Sequence, residues 1–230
     1  MFLLSPVDRE HISTIPSMGG ACISNELYDI GMNLSGIGDV VECGTWFGAS
    51  IVPVAMALRD KNSKAAIHCY DIWTGDEAQV AKAKLWNVKI SIGEDLLPHF
   101  INYIKPVHPR VFAHKGLTNR ASWSKNPIEL YIDDCNKDPK EFFNALNTFS
   151  ESWIPGTTIV VLMDYDYYQK SYLSDRKKEI YRCQKEFVES NMNSFELIDS
   201  NVKGTSASIF RFLKPWPHWP SSLLSNKAGE

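Results

Sequence analysis

Short apolar runs alternate with amphipathic stretches along most of the chain. β-Branched and aromatic runs predict strands at 39–44, 65–71, 110–116, 128–134 and 157–165, the first of them a buried strand. Apolar residues at helical spacing predict helices at 21–34, 50–60, 93–105, 139–153 and 175–190. Strands that alternate with helices indicate an α/β fold with a Rossmann-like, doubly wound and mostly parallel sheet. A short link joins the runs at 195–200 and 206–214, which predicts an antiparallel C-terminal hairpin.

Prolines and polar residues sharpen two of these helix boundaries. Ser50 is a suitable N-cap, and Pro53 is tolerated only in a first turn, so the second helix should begin near Ser50. Pro139 marks the start of the fourth helix in the same way.

The length of 230 residues suits one α/β domain. We expect a single domain at 1–214, of which 1–37 form an N-terminal helical cover. The segment 215–230 contains three prolines and two tryptophans. It is predicted to be a tail that forms either an extended strap over the body or a subunit contact, which leaves a homo-oligomer open.

Composition and charge argue against several classes of protein. The net charge of −3 gives no basic footprint for nucleic acid, and no apolar run reaches the length of a membrane span. The first residues lack the basic and long apolar regions of a signal peptide. The five cysteines are scattered and odd in number, which favours reduced thiols and a cytoplasmic protein.

The stretch GDVVECGTWFGAS, at 38–50, joins the first predicted strand to the second helix. In an open α/β sheet, ligands bind beyond the carboxyl ends of the strands, where glycines allow close approach to the backbone. The spacing here is GxxxG, whereas a dinucleotide fingerprint requires GxGxxG. Glu42 stands two residues before the first glycine and would repel a pyrophosphate. The acid suits a cationic amino group beside a carboxylate, as in S-adenosylmethionine.

This stretch resembles the first motif of class I S-adenosylmethionine-dependent methyltransferases. More narrowly, it is similar to the macrocin O-methyltransferase type and to related sugar and antibiotic O-methyltransferases. The segments YDIWTGD, HKGLTNRASW, IELYIDD and PGTTIVVLMDY resemble later motifs of that family in the same order. The similarity covers about 38–165 and resumes at SASIFRFLK.

The resemblance implies a role for individual residues in binding S-adenosylmethionine. Asp71 would bind the ribose hydroxyls, and Asp133 would lie beside the sulfonium. The remaining residues implied in cofactor binding are Glu42, Gly44, Thr45, Gly48 and Ser50 around the first turn, and Ile72, Trp73, Gly116 and Leu117 around the adenine.

The family resemblance also implies a divalent cation, such as Mg²⁺. Asp133, Asp164 and Asp166 are the candidate ligands, and the last two lie close enough in sequence to converge on one hard cation. The chain departs from the family pattern at three ligand or base positions, which carry Cys135, Asn136 and Met163.

Asp133, Asp134 and His114 are the candidate catalytic groups. Asp133 and Asp134 end a strand, where they either serve the reaction or cap the following helix. The imidazole of His114 titrates near neutral pH, as a general base requires, although a solvated strand edge is the simpler interpretation.

These observations predict an O-methyltransferase that acts on a hydroxyl of a small molecule; the resemblance implies a sugar or secondary metabolite. Three alternatives stay open: a methyltransferase that needs no metal, a related protein that binds cofactor as a non-catalytic partner, and a nicotinamide oxidoreductase. The GxxxG spacing argues against the last of these.

Overall fold

The strands lie where the apolar pattern predicted them. The computed structural model describes residues 1–19 and 22–216. Strands in this part of the chain are β1 (Asp39–Cys43), β2 (Ile67–Asp71), β3 (Val111–Lys115), β4 (Ile128–Asp133), β5 (Ile159–Leu162), β6 (Phe195–Asp199) and β7 (Ser208–Phe212). They form a seven-stranded sheet in the order β3-β2-β1-β4-β5-β7-β6.

The pairing of the strands confirms the predicted fold class. β2 and β3 are parallel, and so are β1 and β4 and β4 and β5. β7 runs antiparallel to both β5 and β6. The pair of β6 and β7 is the predicted closing hairpin. Every residue of β4 is buried, as expected for a central strand of a parallel sheet.

The α-helices follow the predicted order, with additions. They are α1 (Pro6–Ser13), α2 (Ser24–Asn33), α3 (Ile51–Asp60), α4 (Glu77–Lys84), α5 (Leu97–Ile104), α6 (Pro139–Phe149), α7 (Asp175–Ile180) and α8 (Cys183–Ser190). None of the helices described is both long and apolar enough to cross a membrane.

Two helical regions differ from the sequence prediction. The single helix predicted at 175–190 is divided into α7 and α8, because the backbone leaves helical geometry at Tyr181. Sequence periodicity did not predict α4, since only Ala83 of this helix is buried. A capping box between Asp76 and Gln79 marks its start instead.

The chain forms two compact units. The first comprises Met1–Gly36 and Gly44–Leu117. In this unit the N-terminal helices pack on α3: Arg59 pairs with the buried Asp8 of α1, and the Tyr28 hydroxyl of α2 donates to Asp60 at 2.8 Å.

The second unit comprises Ile37–Cys43 and the described chain from Thr118 onward. An aromatic cluster fills part of its core. Trp153 packs edge-on against Phe212, and Trp216 stacks on Phe195 with 6.0 Å between ring centroids. The rest of the predicted tail, from 217, lies outside the described residues.

Candidate functional site

The glycine turn of the first unit contains two glycines with left-handed backbones, one of which packs closely against an aromatic ring. Gly44 has a φ of +89° and donates its N–H to the carbonyl of Tyr70 at 2.8 Å. Gly48 has a φ of +93°, and a Cβ there would lie 3.1 Å from two ring carbons of Phe100. A side chain at Gly48 would therefore meet both backbone strain and a steric clash.

Ser50 directly precedes α3, as predicted, but it does not cap the helix in the usual way. Its backbone is already in the right-handed helical region, and its side chain makes no capping hydrogen bond. The N–H of Gly48 is bonded to the carbonyl of Thr45 at 2.8 Å, which closes the turn just ahead of the helix.

The carboxylate of Asp71, at the end of β2, binds two backbone amides. Oδ2 accepts from the N–H of Trp46 at 2.8 Å, and Oδ1 accepts from the N–H of Trp73 at 2.6 Å. Burial raises the pKa of Asp71, and the amide hydrogen bonds oppose that effect. The amides of Ile72 and Thr45 also lower the pKa of Asp71, and its side chain is only 9% exposed.

Both tryptophans bonded to Asp71 have left-handed backbones. The φ of Trp46 is +46° and that of Trp73 is +42°, a region that costs a non-glycine residue about 1–3 kcal/mol. The indole N–H of Trp73 donates to the Trp46 carbonyl at 2.8 Å and ties the two loops together. Asp71 thus holds two strained loops in place.

Around the predicted adenine position, the side chains differ in exposure. Trp73 is fully buried, whereas Ile72 and Leu117 are 42% and 48% exposed. The N–H of Gly116 donates to the carbonyl of Asp71 at 2.9 Å, which places the turn after β3 beside the end of β2. Ile72 and Leu117 are therefore the residues of this group whose side chains a ligand can contact.

His114, a candidate base, lies within an aromatic stack on the face of β2 and β3. Its Nε2 is 3.0 Å from Nδ1 of His68, and its ring stacks on Tyr70 with centroids 4.3 Å apart. Burial lowers the pKa of His114. The imidazole is therefore biased towards its neutral form and engaged with its neighbours.

In the second unit, Asp133 at the end of β4 is fully buried. Its Oδ2 accepts from the Tyr131 hydroxyl at 3.0 Å and from Nδ2 of Asn136 at 2.9 Å, while Oδ1 accepts from the N–H of Asn136 at 3.0 Å. Burial raises the pKa of Asp133 to about 6, against the lowering effect of these hydrogen bonds. This carboxylate therefore organises the loop after β4.

An acidic cluster with one ammonium group surrounds the ends of β4 and β5. We define it as Glu42, Asp133, Asp134, Lys137 and Asp164. Lys137 Nζ lies 2.7 Å from Oδ2 of Asp164. The pKa of Asp134 is raised well above its ordinary value by burial first, then by Asp164, with Glu42 and Asp133 adding to the effect and Lys137 opposing it.

The three predicted metal ligands do not converge. Asp133 is bonded to Tyr131 and Asn136, and Asp164 is paired with Lys137. Asp166 accepts from Gln169 at 2.8 Å and lies 3.5 Å from Lys185 Nζ. In residues 1–19 and 22–216, no group of three or more acidic, histidine or cysteine side chains is arranged to hold a metal ion.

A tyrosine-rich surface follows the acidic cluster in the chain. The Tyr172 hydroxyl donates to the Tyr167 hydroxyl at 2.9 Å, and Lys137 Nζ lies 5.3 Å from the centre of the Tyr167 ring. Lys185 lies 5.5 Å from the ring of Tyr168. Lys137, a member of the acidic cluster, thus also contacts this aromatic surface.

Sequence reasoning did not identify Lys137 as a functional residue. Its signal was weak, because a lysine just before a helix is usually solvated. The side chain is instead 29% exposed and turned towards Asp164, a residue of the next strand's loop.

Comparison with known proteins identifies the family. The family model described as a methyltransferase domain matches residues 41–162, more than half of the chain. The chain belongs to this methyltransferase family. It is an S-adenosylmethionine-dependent methyltransferase, as the first motif implied. No protein with curated annotation matches it significantly.

Solved structures share the fold at low sequence identity. The chain is similar to the S-adenosylhomocysteine-bound methyltransferase PaMTH1 of Podospora anserina, with a TM-score of 0.57, 14% identity, and coverage of 92% of this chain and 89% of that one. The CcbJ methyltransferase of Streptomyces caelestis is similar with a TM-score of 0.53 and 12% identity, and the match covers 84% of this chain and 97% of that one. CalS11 is described as a TDP-rhamnose 3′-O-methyltransferase in calicheamicin biosynthesis. Its TM-score is 0.50 at 12% identity, and the match covers 83% of this chain and 77% of that one.

Proposed function

We propose that this protein methylates a hydroxyl oxygen of a small molecule. The acceptor oxygen attacks the methyl carbon of S-adenosylmethionine and forms an O–CH₃ bond. The S–CH₃ bond breaks, and its electron pair stays on sulfur to give S-adenosylhomocysteine. The hydroxyl proton passes to a base. The main contribution of the protein to such a displacement is to align the two reactants.

The observation that carries this proposal is the excess of carboxylates in the acidic cluster. Asp164 and Asp134 are the carboxylates next to the Lys137 ammonium. Burial and neighbouring acids raise the pKa of Asp134, on which Glu42, Asp133 and Asp164 all act, and also the pKa of Asp133. A cationic ligand would relieve this repulsion. S-adenosylmethionine has a sulfonium and an amino group, whereas a dinucleotide would bring further negative charge.

The first unit supports a matching assignment for the nucleoside part of the cofactor. Asp71 holds the loops of Trp46 and Trp73, and we assign its carboxylate to the ribose diol. Ile72 and Leu117 offer exposed apolar surface to an adenine ring. We assign the turn of Gly44 and Gly48 to the methionine part, as the resemblance implied.

Asp134 is the best supported candidate for the base. Its side chain is half-buried, whereas Asp133 is fully buried and occupied by Asn136 and Tyr131. Because the pKa of Asp134 is raised well above its ordinary value, this carboxylate accepts a proton more readily than an exposed one. The role of His114 as a base stays a prediction, and its ring contacts His68 and Tyr70.

The tyrosine-rich surface supports an acceptor with a flat or sugar-like face. Tyrosines present apolar rings with hydroxyl tips, which suit a ligand that has both apolar and hydroxylated parts. CalS11 is described as acting on a rhamnose hydroxyl, and its likeness to this chain is consistent with a sugar acceptor. No step is assigned to a divalent cation, because the predicted ligands are already paired with lysines and amide groups.

The experiment that tests the cofactor is calorimetric titration with S-adenosylhomocysteine. We expect micromolar binding that is weakened at least tenfold in Asp71→Asn. The Asp76→Asn variant is the matched control, because Asp76 caps α4 at an exposed position. Absence of binding at millimolar ligand would contradict the proposal.

The acceptor is tested by transfer of tritiated methyl groups from S-adenosylmethionine to a panel of sugars, nucleotide sugars and phenols. We expect a product that is stable to mild base, as a methyl ether is and a methyl ester is not. The replacements Cys135 and Met163 favour one second candidate, a non-catalytic partner subunit. Cofactor binding without transfer to any acceptor would support that alternative.

A further inference from the structure

Lys137 is paired with one carboxylate of the acidic cluster. Its Nζ lies 2.7 Å from Oδ2 of Asp164, and the Asp164 side chain is only 9% exposed. The Lys137 side chain is therefore a fixed positive charge between the loops that follow β4 and β5.

A divalent cation does not fit the same place. Mg²⁺ needs near-octahedral oxygen ligands, including at least one or two carboxylates. Asp164, at the end of β5, directs an oxygen to Lys137, and Asp166 lies by Lys185 and Gln169. A metal ion bound to Asp164 would also lie beside the Lys137 ammonium and would be repelled by it.

We propose that the ammonium of Lys137 takes the place of a divalent cation in this protein, so that methyl transfer is metal-independent. This inference rests on the proposed function for its catalytic part. An ammonium has three N–H donors, and the ion pair with Asp164 uses one of them. The others can donate to the acceptor oxygen and stabilise the negative charge that develops as its proton leaves.

The contact with Tyr167 agrees with this assignment. Lys137 Nζ lies 5.3 Å from the ring centre of Tyr167, within the range of a cation–π interaction. The Tyr167 hydroxyl is held in turn by Tyr172. The ammonium is thus positioned from two sides, by a carboxylate and by an aromatic ring of the proposed acceptor surface.

Binding of Mn²⁺, measured by the electron paramagnetic resonance signal of the free ion, tests the proposal without any need for turnover. We expect no binding to the wild-type protein below about 1 mM, the weak end of protein cation sites. Lys137→Met keeps an unbranched side chain that is one atom shorter and removes the charge. This variant should bind Mn²⁺ at least tenfold more tightly, and adding Asp164→Asn to it should abolish the gain.

Two further variants serve as controls. Lys137→Arg keeps a cation and should behave like the wild type, which keeps the test valid even if Lys137→Met does not fold. Lys140→Met changes an exposed lysine in the first turn of α6 and should leave Mn²⁺ binding unchanged.

Tight Mn²⁺ binding by the wild type that is lost in Asp164→Asn would overturn the proposal. So would equal Mn²⁺ affinities of Lys137→Met and Lys140→Met. Methyl transfer should persist after treatment with EDTA and fall at least a hundredfold in Lys137→Met. If no acceptor is ever methylated, the proposed function fails, but the Mn²⁺ result still decides whether Lys137 excludes the metal.

Discussion

Asp71 is expected to stabilise the first unit as well as to bind cofactor. Replacement of Asp71 by alanine removes the acceptor from two backbone amides, those of Trp46 and Trp73. A hydrogen bond to a charged group contributes about 1.5–3 kcal/mol, so that two give about 3–6 kcal/mol. Part of this is offset, because burial of the charge, which raises the pKa of Asp71, is also removed. We expect a net loss of about 2–4 kcal/mol in the free energy of unfolding.

The Asp71→Asn variant distinguishes the loss of one of these hydrogen bonds from the loss of both. Its side chain has one carbonyl oxygen and can serve Trp46 or Trp73, but not both in the present geometry, so that the loss should be about half that of alanine. The tryptophan that loses its partner can leave the left-handed region, because its φ of about +45° is no longer imposed.

Urea unfolding followed by circular dichroism measures these differences, with the Asp76→Ala variant as the control. Asp76 caps α4 through one exposed hydrogen bond to Gln79 at 2.7 Å, and its loss should cost about 1 kcal/mol. If Asp71→Ala unfolds within 1 kcal/mol of the wild type, Asp71 does not hold the two loops and the reasoning is wrong.

Three further predictions concern other parts of the molecule. Because burial raises the pKa of Asp133 to about 6 from 3.8, the native state binds this proton more tightly than the unfolded chain does. Urea unfolding should show wild-type stability falling by about 2 kcal/mol relative to Asp133→Asn as the pH rises from about 4 to about 7, and parallel pH curves would refute this. Gly31→Ala places a Cβ 2.7 Å from that of Ala57, so we expect a loss of about 1–3 kcal/mol on urea unfolding; an unchanged midpoint would mean that α2 and α3 separate freely. Asp138→Ala removes the N-cap bond to the Lys140 amide and should lower the thermal midpoint by an amount equivalent to about 1 kcal/mol, whereas Asp138→Ser should retain most of it.

The linear sequence was sufficient to predict the strands of the sheet and their order along the chain. Short β-branched and aromatic runs between turn residues favour strands, and the five predicted for the parallel part agree with β1 to β5 within a few residues. Burial differs among them, since β3 lies at the edge of the sheet and none of its residues is buried. The GxxxG turn and the acids at the ends of β2 and β4 were visible for the same reason, because local backbone and burial requirements restrict those positions to few residue types.

The pairing of charged side chains was decided only by the tertiary structure. Asp133 and Asp164 were equivalent metal candidates in the sequence, yet Asp133 is enclosed by Asn136 and Tyr131 while Asp164 is paired with Lys137. Adjacent parallel strands bring their carboxyl ends to one edge, which makes the loops after β4 and β5 neighbours. Which side chain turns inward there depends on packing and on the balance of charge in three dimensions. That balance, set by residues distant in sequence, places an ammonium where the sequence predicted a metal.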